Sequence, residues 1–225
     1  MNPTIETQKI LVLFYSFTGK TAELAREVAA GAREVPETEV VVKMVPELIP
    51  DTVFAKKPEL NATRQALLAE FPIATVDDLQ TANGIAFGTP VHFGSFASQL
   101  KQFLDQLSPV WLKGDMVNKP ASIFCSAGTI HSGEEATLIS MMIPLMNLGM
   151  LPVGIPYPIQ GENSDFDAGS PYGAIYVSGH RGEKAMTDGD RKVARVLGKR
   201  LAMTTRMLAY GRAHCDSCTV LTTEP

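Results

Sequence analysis

The 225-residue sequence predicts an α/β fold, a doubly wound parallel sheet of five strands with helices on both faces. Apolar runs bounded by turn residues alternate along the chain with segments of helical periodicity. The first run, Lys9-Ile10-Leu11-Val12-Leu13-Phe14-Tyr15, is apolar on both faces, as a central parallel strand covered by helices must be. The loops after the first, third and fourth runs are rich in hydroxyl and glycine residues, and they fall at the carboxyl edge, where such sheets place their ligands.

The elements follow in order. Ala22, Ala25, Val28, Ala29 and Ala32 give the first helix, ending near Arg33, one face small enough to pack closely on a sheet. Val40-Val41-Val42-Lys43-Met44-Val45 is a β-branched second strand. Residues 46–80 carry Pro46, Pro50, Pro58 and Pro72 and a helix near 59–71; with too few apolar residues for a core of its own, the segment is an insertion of the same domain. Gly84-Ile85-Ala86-Phe87-Gly88 is the third strand. Phe96, Leu100, Phe103, Leu104 and Leu107 then mark an amphipathic helix. Ala121-Ser122-Ile123-Phe124-Cys125 is the fourth strand, and Glu134 and Glu135 suit the first turn of the next helix, which Pro144 should kink. The fifth strand is expected at 150–155, followed by a long Gly/Pro-rich loop at 156–187. Thr187 and Asp190 stand at capping spacing before a last helix carrying Val193, Val196, Leu197, Leu201 and Leu208. A single domain over 1–211 and a loose tail over 212–225 complete the expected organisation.

Composition bounds the function. A net charge of −4 without a basic block argues against nucleic acid as the main partner. The charge-free stretch at 138–159 is broken by Pro144, Pro152, Pro156 and Pro158, so it reads as buried helix and strand and no membrane span is expected. Three cysteines form no disulfide framework, and a cytoplasmic setting is expected. Cys215 and Cys218 form an isolated Cys-x-x-Cys with no second pair, so no metal site is expected.

The first loop, Ser16-Phe17-Thr18-Gly19-Lys20-Thr21, stands between a strand and a helix start, where backbone N–H groups and the helix dipole converge on an anion. Ser16, Thr18 and Thr21 add hydroxyl donors, Gly19 allows close approach and Lys20 adds charge, so a phosphate fits. It is neither a nucleotide P-loop nor a dinucleotide fingerprint, both of which need more glycines at fixed spacing. The plain alternative is a turn in which Thr18 or Thr21 caps the helix.

Together with Phe87-Gly88-Thr89-Pro90 and Phe93-Gly94, the Ser126-Ala127-Gly128-Thr129 loop, Phe103-Leu104-Asp105-Gln106, Val45-Pro46-Glu47 and Ser170-Pro171-Tyr172-Gly173-Ala174, the chain resembles the flavodoxin-like FMN proteins. The branch it is most similar to is the tryptophan-repressor-binding-protein (WrbA-type) NAD(P)H:quinone reductases. The resemblance covers roughly residues 9–208, and both insertions fall where that family has them. It implies non-covalent FMN with its phosphate at residues 16–21. The ring would lie between Thr89, Pro90, Val91, His92, Phe93 and Gly94 on one side and Ser126, Ala127, Gly128, Thr129, Ile130 and His131 on the other. Asn147 falls where the family usually has a flavin-contacting histidine. Trp111 matches a substrate-cavity aromatic, and Thr18 stands where an aromatic helps place the nicotinamide nucleotide. A homo-oligomer, dimer or tetramer, is implied, with neighbouring subunits completing each site.

The resemblance further implies a ping-pong exchange in which NAD(P)H gives two electrons to FMN and a quinone or similar flat acceptor then takes them. No catalytic side chain is required, and His131 is read either as a proton shuttle or as a loop residue bonding its own backbone. Ile130 and His131 replace a usual Gly-Gly pair, which demands a changed backbone wherever those glycines take φ > 0. Two other classes stay open: a one-electron carrier, which Thr18 favours, and a flavin-binding interaction protein without reductase activity.

Overall fold

The computed structural model describes residues 6–157 and 169–215. Strands β1 (Gln8–Phe14), β2 (Thr38–Met44), β3 (Gly84–Pro90) and β4 (Pro120–Ala127) lie parallel in the spatial order β2-β1-β3-β4. Ile10 stands level with Val40 on one side and Gly84 on the other, and Phe87 stands level with Ile123. β1 and β4 are buried almost throughout, which explains why they read as continuous apolar runs. The chain crosses from β2 past β1 to β3, so the strand order reverses there and opens a crevice at the carboxyl edge.

The fifth position corrects one expectation. A strand at 150–155 survives only as β5 (Leu151–Pro152), which pairs with Pro120 and Ala121 at the start of β4. A second short strand, β6 (Ala174–Val177), pairs with the end of β4 from Phe124 to Ala127. Two segments thus share one place in the sheet, and the expected loop at 156–187 contains a strand. After β5 the backbone changes partner: the Val153 N–H still reaches Ala121 O, but the Ile155 N–H reaches Pro171 O.

Helices α1 (Lys20–Arg33) and α8 (Asp188–Ala213) cover one face around Val12, Phe14, Val28, Leu197 and Leu201. Of the insertion helices α2 (Asp51–Ala55), α3 (Pro58–Glu70) and α4 (Val76–Thr81), only α3 falls near the helix expected at 59–71. The insertion spends its apolar side chains on the sheet: Leu67 and Phe71 join that core, with Phe71 edge-on to Phe14 at 5.1 Å, and Leu79 joins the opposite one. The opposite face is covered by α5 (Ser98–Asp105), α6 (Ser108–Leu112) and α7 (Glu134–Asn147), over Leu13, Phe87, Ile123, Phe103 and Leu145. The helix expected around 96–107 is α5, a separate short helix α6 follows it, and α7 runs through Pro144 to Asn147. The Thr187–Asp190 capping box forms in full. Beyond α8, Cys215 is disulfide-bonded; Cys218 and most of the expected tail lie outside the described residues.

Candidate flavin site

β1 delivers the first loop to the carboxyl edge. Helix α1 starts at Gly19, whose φ of +88° only glycine takes readily, and no side chain caps it. Neither Thr18 nor Thr21 is therefore the cap. Ser16 instead accepts from the Ala22 N–H at 3.3 Å, and the first backbone bond of the helix runs from Glu23 to Gly19. The N–H groups of Phe17, Thr18, Gly19, Lys20 and Thr21 find no acceptor among the described residues. Such a row of orphan donors at a helix start is an anion cradle.

The hydroxyls divide differently from expectation. Thr18 is exposed, whereas buried Thr21 bonds Ser126 Oγ at 2.8 Å and so ties the first loop to the end of β4. Thr21 and Ser126 thus brace the site rather than face it. The Lys20 ammonium sits 2.9 Å from Glu23; burial pulls its pKa down, but the Glu23 bond and charge outweigh this and leave it raised.

The loop after β3 is fixed at both ends. Thr89 Oγ donates to Pro90 O and accepts the Ala97 N–H, so this side chain pins the start of α5. The Val91 N–H donates to Ser126 O, and His92 and Ser95 exchange backbone bonds. At the tip, Phe93 and Gly94 both take left-handed backbone, with φ of +53° and +71°, and Phe93 is fully exposed. A left-handed, solvent-facing phenylalanine is a costly arrangement of the kind found at binding sites.

The loop after β4 meets that tip. Gly133, the left-handed N-cap of α7, lies so close to Gly94 that a Cβ there would come within 2.7 Å of the Gly94 Cα. His131 takes φ +60°, so the left-handed conformation a glycine would supply is kept by a histidine, while Ile130 beside it does not share it and stays exposed. The backbone is conserved in form at one position of the expected Gly-Gly pair. The N–H groups of Gly128, Thr129, Ile130 and His131, like those of Phe93 and Gly94, have no acceptor among the described residues. The fold therefore gathers residues 16–21, 89–94 and 126–131 at one edge, with unpaired donors beside two uncovered apolar side chains.

Trp111 and Asn147 are not brought there. They line a groove of about 520 Å³ between α5–α6 and α7, with Phe96 and Ile143. Asn147 ends α7, a 14-residue helix that starts at the site, which places it about 20 Å from the site edge. Two features were not read from sequence as site elements. The Glu47 carboxylate accepts the Tyr15 hydroxyl at 3.0 Å, the Gln99 amide at 3.0 Å and the N–H groups of Leu48 and Ile49, joining β1, the insertion and α5 behind the first loop. Burial and then Glu47 push the Tyr15 phenol well above its ordinary pKa. The turn after β6 also reaches the site: Ser178 donates through N–H and Oγ to Ala127 O. Only the Pro46-Glu47 pair hinted at the first, and the second was hidden in a segment that reads as loop.

Among the described residues no cluster of His, Cys, Asp and Glu is arranged to hold a metal, and no helix is long and apolar enough to cross a membrane.

A doubly wound sheet with anion-cradling loops at its switch point defines a flavodoxin-like protein. Residues 9–163 match the profile of the NADPH-dependent FMN reductases, and the chain belongs to that family. It is 39% identical over 203 residues to an NAD(P)H dehydrogenase (quinone) of Geotalea uraniireducens, covering 89% of this chain and 99% of that one. A protein of the same name from Geotalea daltonii is 38% identical over 206 residues, covering 91% and 100%. The fold is also that of a WrbA-like flavodoxin from Agrobacterium tumefaciens, with a TM-score of 0.62 at 21% identity over 89% of this chain and 98% of that one. The expectation of an FMN-dependent oxidoreductase is met by the family and these relatives, and that of a flavodoxin-like fold by the solved structure.

Proposed function

We propose that the chain binds FMN in the three-loop site and passes two electrons from NAD(P)H to quinone-type acceptors in alternate half-reactions. The observation that carries the reading is the row of unpaired N–H groups on loops 17–21, 93–94 and 128–131, set beside exposed Phe93 and Ile130. These residues fit an FMN: a phosphate for the helix start, ring oxygens and nitrogens for the other two loops, and a flat apolar surface against the uncovered side chains. FMN supplies the hydride-accepting and hydride-donating chemistry.

The residues of the chain bind and orient. N–H groups 17–21 hold the phosphate, and Lys20 adds a charge shared with Glu23. Phe93 and Ile130 exclude water from the faces they cover, and the Gly94–Gly133 contact sets the distance between the ring loops. No acid or base is needed at a fixed atom.

The groove of Trp111 and Asn147 suits a homo-oligomer in which one subunit's groove borders a neighbour's flavin, since within one chain its Asn147 end stands well away from the site loops. A cytoplasmic setting and a single domain with insertions accord with this reading.

The test is an anaerobic titration of the FMN-loaded protein with NADH and with NADPH, followed by a quinone. Bleaching of the flavin absorbance by a pyridine nucleotide and its return on adding quinone are expected. A flavin inert to both nucleotides yet reduced by dithionite would overturn the reductase and indicate a one-electron carrier. Failure to retain FMN would overturn the site.

A further inference from the structure

A second cavity lies behind the first loop, on the β2 side of the sheet, and the flavin reading does not use it. Its volume is about 190 Å³, and its walls come from the first loop, the carboxyl ends of β1 and β2 and the insertion. Phe17, Phe54, Leu67, Leu68 and Ile73 make those walls largely apolar, and no residue of 89–94 or 126–131 lines them. An apolar cavity of about 150 Å³ takes up benzene, whereas drug-sized ligands need about 300 Å³ or more. The space suits one ring with a small substituent.

One polar atom of this wall is unspent. The Arg64 guanidinium lies over the Phe54 ring, 4.5 Å from its centroid, and Nη1 donates to Asp51 at 2.6 Å. Its Nε is buried and finds no acceptor among the described residues. A buried donor in that state is unfavourable, and a ligand oxygen relieves it. Glu47 lines the same cavity, but its carboxylate already accepts from Tyr15, Gln99, Leu48 and Ile49. Arg64 is close to that network: burial and Glu47 push the Tyr15 phenol's pKa up, and the Arg64 charge acts against them. Two carboxylates, Glu47 and Asp51, thus already stand around one guanidinium. The acceptor that fits is a neutral oxygen, since a further anion would face Glu47 in a poorly solvated space.

We propose that this cavity is a ligand site for a neutral, single-ring aromatic carbonyl compound, whose oxygen accepts from Arg64 Nε and whose ring packs on Phe17, Phe54 and Leu67. Its occupancy is coupled to the flavin site, a step that rests on FMN binding at the first loop. Phe17 belongs to that loop and its ring meets Phe54 of the insertion at 6.0 Å, so a guest touching both rings ties loop to insertion and slows FMN release.

The test is binding to the FMN-loaded protein followed by NMR, with acetophenone, ethylbenzene and benzoate as probes of one size. Acetophenone should bind about tenfold tighter than ethylbenzene, the worth of one hydrogen bond from a charged donor, and benzoate more weakly than acetophenone. Arg64→Met should erase the difference between acetophenone and ethylbenzene while leaving FMN content that of the parent protein. Leu68→Trp, which fills the cavity, should abolish binding of both. Saturating acetophenone should slow FMN release about twofold or more in the parent protein and leave it unchanged in Leu68→Trp. Equal binding of acetophenone and ethylbenzene, tighter binding of benzoate, or binding that survives Leu68→Trp would overturn the site. No binding of any probe, the cavity holding water alone, would do the same. An unaltered rate of FMN release would overturn the coupling. Probe binding can be read on the chain without flavin, so a protein that fails to retain FMN would sink the flavin reading separately.

Discussion

The loops after β1 and after β4 open helices of the same length in the same way, from a left-handed glycine with no side-chain cap, yet they arrive there by different routes. In the first, Gly19 stands in open space, with only Thr63 Cγ2 near a would-be Cβ at 3.6 Å. Its glycine is required by φ alone. In the second, Gly133 is required twice, by a φ of +97° and by contact with the Gly94 backbone, and the loop before it holds His131 in a left-handed conformation. The comparison teaches that one device, a helix start stripped of its cap to leave N–H groups for a ligand, is cheap when isolated. It becomes demanding when two loops must close on each other.

Substitutions at these positions sharpen that contrast. Gly133→Ala adds a clash with Gly94 to the backbone penalty, so it should cost about 2–4 kcal/mol of stability and most of the FMN affinity. Chemical denaturation and flavin retention measure both; a variant that melts with the parent protein would mean the two loops are not locked together. Removing FMN should lower stability by about 2.7 kcal/mol relative to protein at a hundredfold excess over Kd, seen as a lower thermal midpoint of the apoprotein. Gly19→Ala, with φ strained but space available, should cost about 1–2 kcal/mol, less than Gly133→Ala. An equal cost at the two glycines would break the comparison. Ser126→Ala leaves the Thr21 hydroxyl buried without its partner, at about 1–2 kcal/mol, and Thr21→Val with it should restore part of the loss in a double-mutant cycle. The smallest effect is a gain: His131→Gly relieves a left-handed side chain, worth about 0.5–1 kcal/mol once the extra freedom of glycine in the unfolded chain is counted.

The three-loop site was legible because each loop announces itself locally. Hydroxyl and glycine residues follow an apolar run and precede a helical repeat, and in parallel sheets all such loops fall on one edge whatever the strand order. Roles within the loops were less legible. Thr21, Thr89 and Ser126 look alike in sequence to ligand-binding hydroxyls, but Thr21 and Ser126 spend theirs on each other across 105 residues and Thr89 spends its own within its loop, on Pro90 and on Ala97 8 residues away. Trp111 and Asn147 match site residues by resemblance, yet α5 with α6, and α7, each run back against the strand direction and carry them toward the opposite edge.

The sequence alone determined the α/β class, the places of β1 to β4 and the carboxyl-edge loops, because alternation of apolar runs and helical periodicity is a local property of the chain, while the family came from the likeness of its loop motifs. Only the tertiary structure decided that β5 and β6 share one place beside β4. Two residues at 151–152 cannot declare themselves a strand, and the apolar run Ala174-Ile175-Tyr176-Val177 becomes one only when β4 supplies its hydrogen bonds.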